Sequence, residues 1–229
     1  MAKIQSNDRF GFNRLNLNCM KRISLAILFA CCTLALSAQN GIRVKYQGAS
    51  PKISDFVSAF LSSRDHDDEE DCTDESFNAI DYAWKQYHKG LPLEEGNTLT
   101  IDEKNGYVCY EYRSEYESVI DVVRIEMCYW NEADKKHKLF AYNVACFRNG
   151  NPEPGQFDGI TFYRYNNATK LMTYTTDFGF EPVLGTEDGA WVSYDLPRTG
   201  KDITVTTFWG KTGKKQLKAL KWNGRRFSF

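Results

Sequence analysis

The sequence predicts a mainly β, α+β fold in which two N-terminal helices pack on an antiparallel β-meander or sandwich of about eight to ten strands. Three observations carry this. From Thr98 onward the apolar period changes from about 3.6 residues to two. The strand-like runs are separated by pairs such as Asp188-Gly189 and Asn223-Gly224, which supply the positive φ of tight hairpins. The connections are also shorter than the dozen or so residues of a parallel crossover, so neighbours should be antiparallel. A partial β-propeller is the alternative, because Trp-bearing strands and a terminal WNG hairpin suit such blades.

The chain begins with 19 polar, mixed residues, and translation could start at Met1 or at Met20. Lys21 and Arg22 then precede an uncharged, nearly all-apolar run over 23–36, and Ser37, Ala38 and Gln39 follow it. Charge, apolar run and small-residue exit in that order make a secretory signal. Residues 1–38 are therefore read as an upstream extension plus a signal peptide (20–38), cleaved after Ala38 or, as second choice, after Ser37. A run of 14 residues is short of the roughly 20 that a membrane span needs. A rival reading is a lipoprotein acylated at Cys31 or Cys32, but Phe29 stands where that signal carries a small residue.

The mature chain, 39–229, has 191 residues, enough for one domain with a sizeable core. It carries 24 Lys and Arg against 29 Asp and Glu, a net charge of −5. With no basic block it is not expected to bind nucleic acid or anionic membranes. No long apolar run follows the signal, so no transmembrane segment is expected in the mature chain. The expected location is the periplasm, the cell surface or the extracellular space.

Residues 39–97 form a lead-in strand or tether and a helix pair. Ser50 as N-cap and Pro51 at the first helical position open the first helix, with Ile53, Phe56, Val57, Phe60 and Leu61 on one face. The second begins near Thr73 or Asp74, carries Phe77, Ile80, Ala83, Trp84 and Tyr87 as its stripe, and ends at Gly90 before Pro92. Residues 98–229 form the β domain. Its strands are expected at 98–103, 106–113, 119–130, 138–148, 159–166, 170–176, 189–196, 202–209, 215–222 and 225–229. A faint likeness between 98–148 and 184–229 pairs Trp130 with Trp209 and Lys135-Lys136 with Lys214-Lys215, either a degenerate two-fold repeat or convergent hairpin chemistry.

Export leaves four cysteines, Cys72, Cys109, Cys128 and Cys146, and an oxidising compartment permits disulfides. Cys109 with Cys128 is the foremost cross-strand pair, although apolar strand positions equally suit free core thiols. The acidic run from Asp65 to Asp74 offers Asp67, Asp68, Glu70 and Asp71 as a weak divalent-cation site, set against an ordinary solvated linker. His66, His88 and His137 fall in no zinc spacing, and no nucleophile elbow, P-loop or dinucleotide fingerprint occurs. No cofactor and no catalytic residue is therefore assigned. Paired-carboxylate hydrolysis leaves no short motif, and Glu111, Asp121, Glu126 and Asp195 are its strand-borne candidates.

Strand aromatics are the remaining clue. Exposed rings could stack on sugars or anchor a protein, with Tyr107, Trp130, Trp191 and Trp209 as the candidates, whereas core packing is the alternative use of such residues. The signal ending in LSAQ, the helix pair, the aromatic hairpins and the closing KALKWNGRRFSF resemble small exported bacterial proteins of unknown function. That resemblance implies a bacterial periplasm or cell surface and assigns no functional residue. The expected function is an exported, non-catalytic envelope module that binds a protein or glycan through an aromatic β face. A small two-carboxylate hydrolase is the alternative, and docking of the helix pair onto a larger assembly is a third.

Overall fold

A computed structural model describes residues 41–63, 75–153 and 158–229. Two helices, α1 (Ile53–Ser62) and α2 (Glu75–His88), precede nearly all of the twelve strands. The first sheet holds β1 (Ile42–Arg43), β2 (Thr98–Asp102), β3 (Tyr107–Tyr116), β4 (Val119–Asn131), β5 (His137–Arg148), β6 (Asn151–Pro152), β7 (Gly159–Asn166) and β8 (Leu171–Tyr174). Its order is β1-β8-β7-β5-β4-β3-β2, with β6 paired to the end of β5. The second sheet holds β9 (Trp191–Asp195), β10 (Ile203–Trp209), β11 (Lys214–Trp222) and β12 (Phe227–Ser228) in the order β12-β11-β10-β9. Every pairing is antiparallel.

The expected class is found, and all ten expected strands are present with ends shifted by a few residues. The propeller alternative is not adopted. The second sheet has the four strands of a blade, but its neighbour is one continuous eight-stranded sheet.

Side-chain alternation explains the layering. On β4 and β5, Ile125, Met127, Phe140, Tyr142 and Val144 join the core beneath the helices, together with Phe56, Phe60, Ile80 and Trp84. The intervening Cys128, Trp130, Leu139 and Ala141 join a second core with Val192, Tyr194, Ile203, Val205, Leu220 and Phe227 of the small sheet. The large sheet is therefore the middle layer, buried on both faces. Each fully buried apolar side chain contributes about 1.5–3 kcal/mol, which is why so many aromatic and branched residues sit at strict alternation here.

Local differences from the expected elements have physical reasons. Helix α1 starts two residues later than expected: Lys52 is extended at φ −95° and ψ 172°, and its N–H donates to Asp55 Oδ2 at 2.7 Å. Asp55 thus supplies the reciprocal half of a capping box in place of Ser50. Helix α2 ends as expected at Gly90 (φ +67°), where Leu91 N–H donates to Gln86 O and Gly90 N–H to Tyr87 O, both at 3.0 Å. Tyr87, expected on its buried stripe, is exposed, while Phe77, Ile80, Ala83 and Trp84 are buried. Strand β3 runs to Tyr116 because Glu117 and Ser118 form a two-residue turn with both φ positive (46° and 68°).

Cys109 and Cys128 are free thiols, so of the two readings of these strand cysteines the structure has free core thiols and not a Cys109–Cys128 bridge. The register sets Cys109 opposite Glu126 and Cys128 opposite Tyr107, so the two cysteines are diagonal rather than facing. Cys72 and the acidic candidates Asp67, Asp68, Glu70 and Asp71 lie outside the described residues. No described helix is long and apolar enough to cross a membrane.

Candidate functional site

The four aromatic candidates do not share a face. Tyr107 and Trp130 occupy the parity covered by the small sheet and are buried, so neither can present a ring to a ligand. Trp130 packs on Trp222, Phe162 and Phe227, and its Nε1–H donates to Lys201 O at 2.8 Å. Trp191 is 45 % exposed and stands opposite Phe208. Trp209 ends β10, half-buried, with Nε1–H donating to Asp188 Oδ2 at 2.8 Å and the Lys214 ammonium 4.9 Å above its ring. The apolar alternation of the strands is the same on both faces of the middle sheet, which is why sequence alone could not say which rings were covered.

A different set of rings does line a concavity. At the C-terminal half of α1, Phe60 meets Tyr142 of β5 (centroids 5.0 Å) and Tyr163 of β7 (5.5 Å), and Tyr163 meets Tyr174 of β8 edge-on at 6.1 Å. These four line a cavity of about 500 Å³ closed by Asp158, Thr161, Pro182 and Leu184. Phe60 and Tyr142 are its buried floor, Tyr163 is half-exposed, and Tyr174 is 65 % exposed at the rim. The wall strip is tied to β9, since Val192 N–H donates to Leu184 O at 2.9 Å and Gly185 bridges Trp191. Its volume and aromatic walls fit the ordinary character of a small-ligand site. Period-two aromatics on β5, β7 and β8 were the sequence signal for it, but they are joined only by strand pairing.

Three of the four carboxylate candidates converge, and they do so around Arg124. Its guanidinium donates to Glu111 Oε1 through Nε and to Asp195 Oδ1 through NH1, each at 2.8 Å. These groups line a cavity of about 340 Å³ with Val122, Phe147 and Arg113. Behind them Glu126 is buried. It accepts Tyr107 O–H on Oε1 (2.7 Å), and Asn143 Nδ2–H (3.2 Å) and Leu196 N–H (3.1 Å) on Oε2. Burial pushes the carboxyl groups of Glu126 and Asp195 above their usual range, in Asp195 against the pull of Arg124. Burial also pushes the Cys109 thiol up to about 12.

The arrangement is architectural. Tyr194 O of β9 and Leu196 N just past its end are bonded by Asn143 and Glu126 of the middle sheet (Asn143 Nδ2–H to Tyr194 O is 2.8 Å). Asp121, the fourth candidate, pairs with Arg148 Nε at 2.9 Å at the exposed end of β4.

A third cluster was not anticipated. Ligand atoms of Glu132, Asp134 and His137 lie within 4.8 Å of one another. Their bonds are already taken up: Arg164 Nε–H donates to Glu132 Oε1 (2.7 Å), His137 Nδ1 pairs with Asp134 Oδ2 (2.6 Å), and Asn166 Nδ2 meets His137 Nε2 (3.1 Å). The His137 bond holds the Asp134 carboxyl down at about 2. Beside this cluster opens a cavity of about 390 Å³ that Lys138 also lines.

Comparison with known proteins returns no match to a family model, a curated protein or a solved structure.

Proposed function

We propose that this chain is an exported, non-catalytic envelope module that binds a glycan in the aromatic groove of Phe60, Tyr142, Tyr163 and Tyr174. The observation that carries the reading is the groove itself: a half-exposed ring and an exposed one set nearly perpendicular over an aromatic floor, in a volume suited to one or two sugar units. Sugar C–H faces pack on such rings, while Thr161 at the margin offers a hydroxyl to the sugar's own. Export rests on the signal over 20–38, and the first strand of the described fold, Ile42–Arg43, begins just beyond the expected cleavage site. The hydrolase alternative draws less support. Its two cavity-lining acids, Glu111 and Asp195, are clamped by one arginine, and Glu126 is enclosed by its three donors.

The test is a glycan array followed by titration calorimetry on the best hit. Tyr174→Ala and Tyr163→Ala are expected to weaken binding by about tenfold each, the effect of losing one stacked ring worth ~1.4 kcal/mol. Tyr174→Ala, at the exposed rim, should keep a urea midpoint close to that of the parent, whereas Tyr163→Ala, which removes a ring packed on Phe60 and Phe140, should lower it. An array with no retained glycan, or variants that bind as the parent does, overturns the glycan reading. Capture of a protein instead, lost on the same substitutions, would move the groove to a protein partner. Amino-terminal sequencing of the envelope or medium fraction tests export, with Gln39 as the expected first residue.

A further inference from the structure

The cavity beside β5 holds an unusual cation. Lys138 is 8 % exposed, its ammonium donates to Asn131 Oδ1 and lies 4.8 Å over the Tyr129 ring, and among the described residues no carboxylate pairs with it. The two acids of the neighbouring cluster are already engaged, Glu132 by Arg164 and Asp134 by His137 and the N–H groups of Lys136 and His137. A second cation, Lys135, lines the same cavity at the hairpin tip, together with Ser50, Asn131, His137, Asn167 and Glu132, whose charge is met by Arg164. A buried ammonium is costly unless an opposite charge compensates it, and neither a cation–π contact nor one amide oxygen supplies that charge. The open space next to it, about 390 Å³, is that of a small-molecule site.

We propose that this cavity binds a small ligand bearing an oxyanion, a carboxylate or a phosphate, with Lys138 as its buried counter-charge and Lys135 as a second contact at the rim. The site is separate from the aromatic groove, since it lies by the approach to α1 (Ala49 to Pro51) whereas the groove lies by Phe60. Desolvation, which lowers the affinity of Lys138 for its proton, is the same deficit that an anion would remove. Metal binding is the poorer use of this cavity, because His137 has both ring nitrogens engaged and the two lysines repel a cation.

The experiment is titration calorimetry of the full chain at constant ionic strength against sodium acetate, sodium glucuronate and inorganic phosphate, with chloride as the reference. Saturable one-to-one binding of at least one probe is expected, and which probe binds tightest separates carboxylate from phosphate. Lys138→Met should raise the Kd about tenfold or more, Lys135→Gln should raise it about threefold, and Lys211→Met on the distant β10–β11 hairpin should leave it unchanged. Absence of saturable binding by every probe overturns the proposal, as does equal affinity in parent and Lys138→Met. Should Lys138→Met fail to fold, Lys135→Glu decides: loss of binding supports the site, and unaltered affinity overturns it.

Discussion

Glu126 offers the sharpest test of how the layers are joined. Glu126→Ala removes the acceptor of three buried donors. Asn143 keeps a partner in Tyr194 O and Tyr107 O–H keeps only the weak acceptor Cys109 Sγ, but Leu196 N–H is left with none. A buried donor without an acceptor costs about 1–3 kcal/mol, so a loss of ~3–5 kcal/mol is expected once the vacated volume is included. Glu126→Gln keeps the shape; its carbonyl can accept Leu196 N–H while its amide meets Tyr107, so about 1–2 kcal/mol is lost. Acidity adds a second signature. The folded carboxyl titrates above its unfolded value, because burial disfavours the charge. The folded state therefore holds more protons in the window between the unfolded pKa, about 4.3, and the raised folded one, and stability falls as pH rises through it. Each unit of that shift corresponds to about 1.4 kcal/mol. Urea unfolding followed by tryptophan fluorescence from pH 4 to 8 should show the gap between parent and Glu126→Gln narrowing as pH rises. A Glu126→Ala variant within about 1 kcal/mol of the parent, or a pH-independent gap, refutes the reasoning.

Trp130→Ala should cost about 3–5 kcal/mol in urea unfolding, whereas Trp191→Ala, at a 45 % exposed position, should cost about 1 kcal/mol or less; comparable losses would contradict the burial of one and the exposure of the other. Gly179→Ala should destabilise by more than about 2 kcal/mol, since φ is +101° and a Cβ there would sit 2.3 Å from Phe227 O; an unchanged thermal midpoint would sink this. Cys109 and Cys128, held protonated by burial, should resist iodoacetamide at pH 8 until denaturant is added, which peptide mapping reads directly. A chain begun at Gln47 should be less stable than one begun at Gln39 by about 2–4 kcal/mol, because it lacks the fully buried Val44 and the β1–β8 pairing of Ile42 with Met172; equal midpoints would show β1 to be dispensable.

The period-two pattern and the turn pairs were enough to place ten strands, because each reflects local sterics: Gly106, Gly213 and Gly224 all take positive φ where a turn was expected. The Glu117-Ser118 turn escaped, since its residues carry no glycine or asparagine signal and only the strong pairing of β3 with β4 forces them left-handed. The two-residue strand β6 escaped because two residues have no readable period, whereas β1 lies within the lead-in strand or tether expected before the helix pair. The site was less legible still. Alternation tells which residues share a face, not what covers it, so Tyr107 and Trp130 could not be separated from Tyr163 and Tyr174. Lys138 reads as an ordinary polar strand start, and it is buried only because distant parts of the fold close around it.

The placement of both cavities follows from unequal lengths. Helix α1 lies along β5, with Phe56 over Phe140 (5.8 Å) and Phe60 over Tyr142 (5.0 Å). Ten helical residues span only about 15 Å, whereas the twelve residues of β5 extend roughly 40 Å. The helix therefore cannot cover its strand, and same-face residues near its two ends, Lys138 and Tyr142, each line an opening. On the opposite face β9 is tied to Asn143 and Glu126 of the middle sheet, and the opening there, about 340 Å³, is lined by Glu111, Arg124 and Asp195, which pair with one another. The polar groups there are consumed in joining layers, so the perturbed carboxylates mark architecture, whereas both proposed ligand sites lie in the openings beside α1.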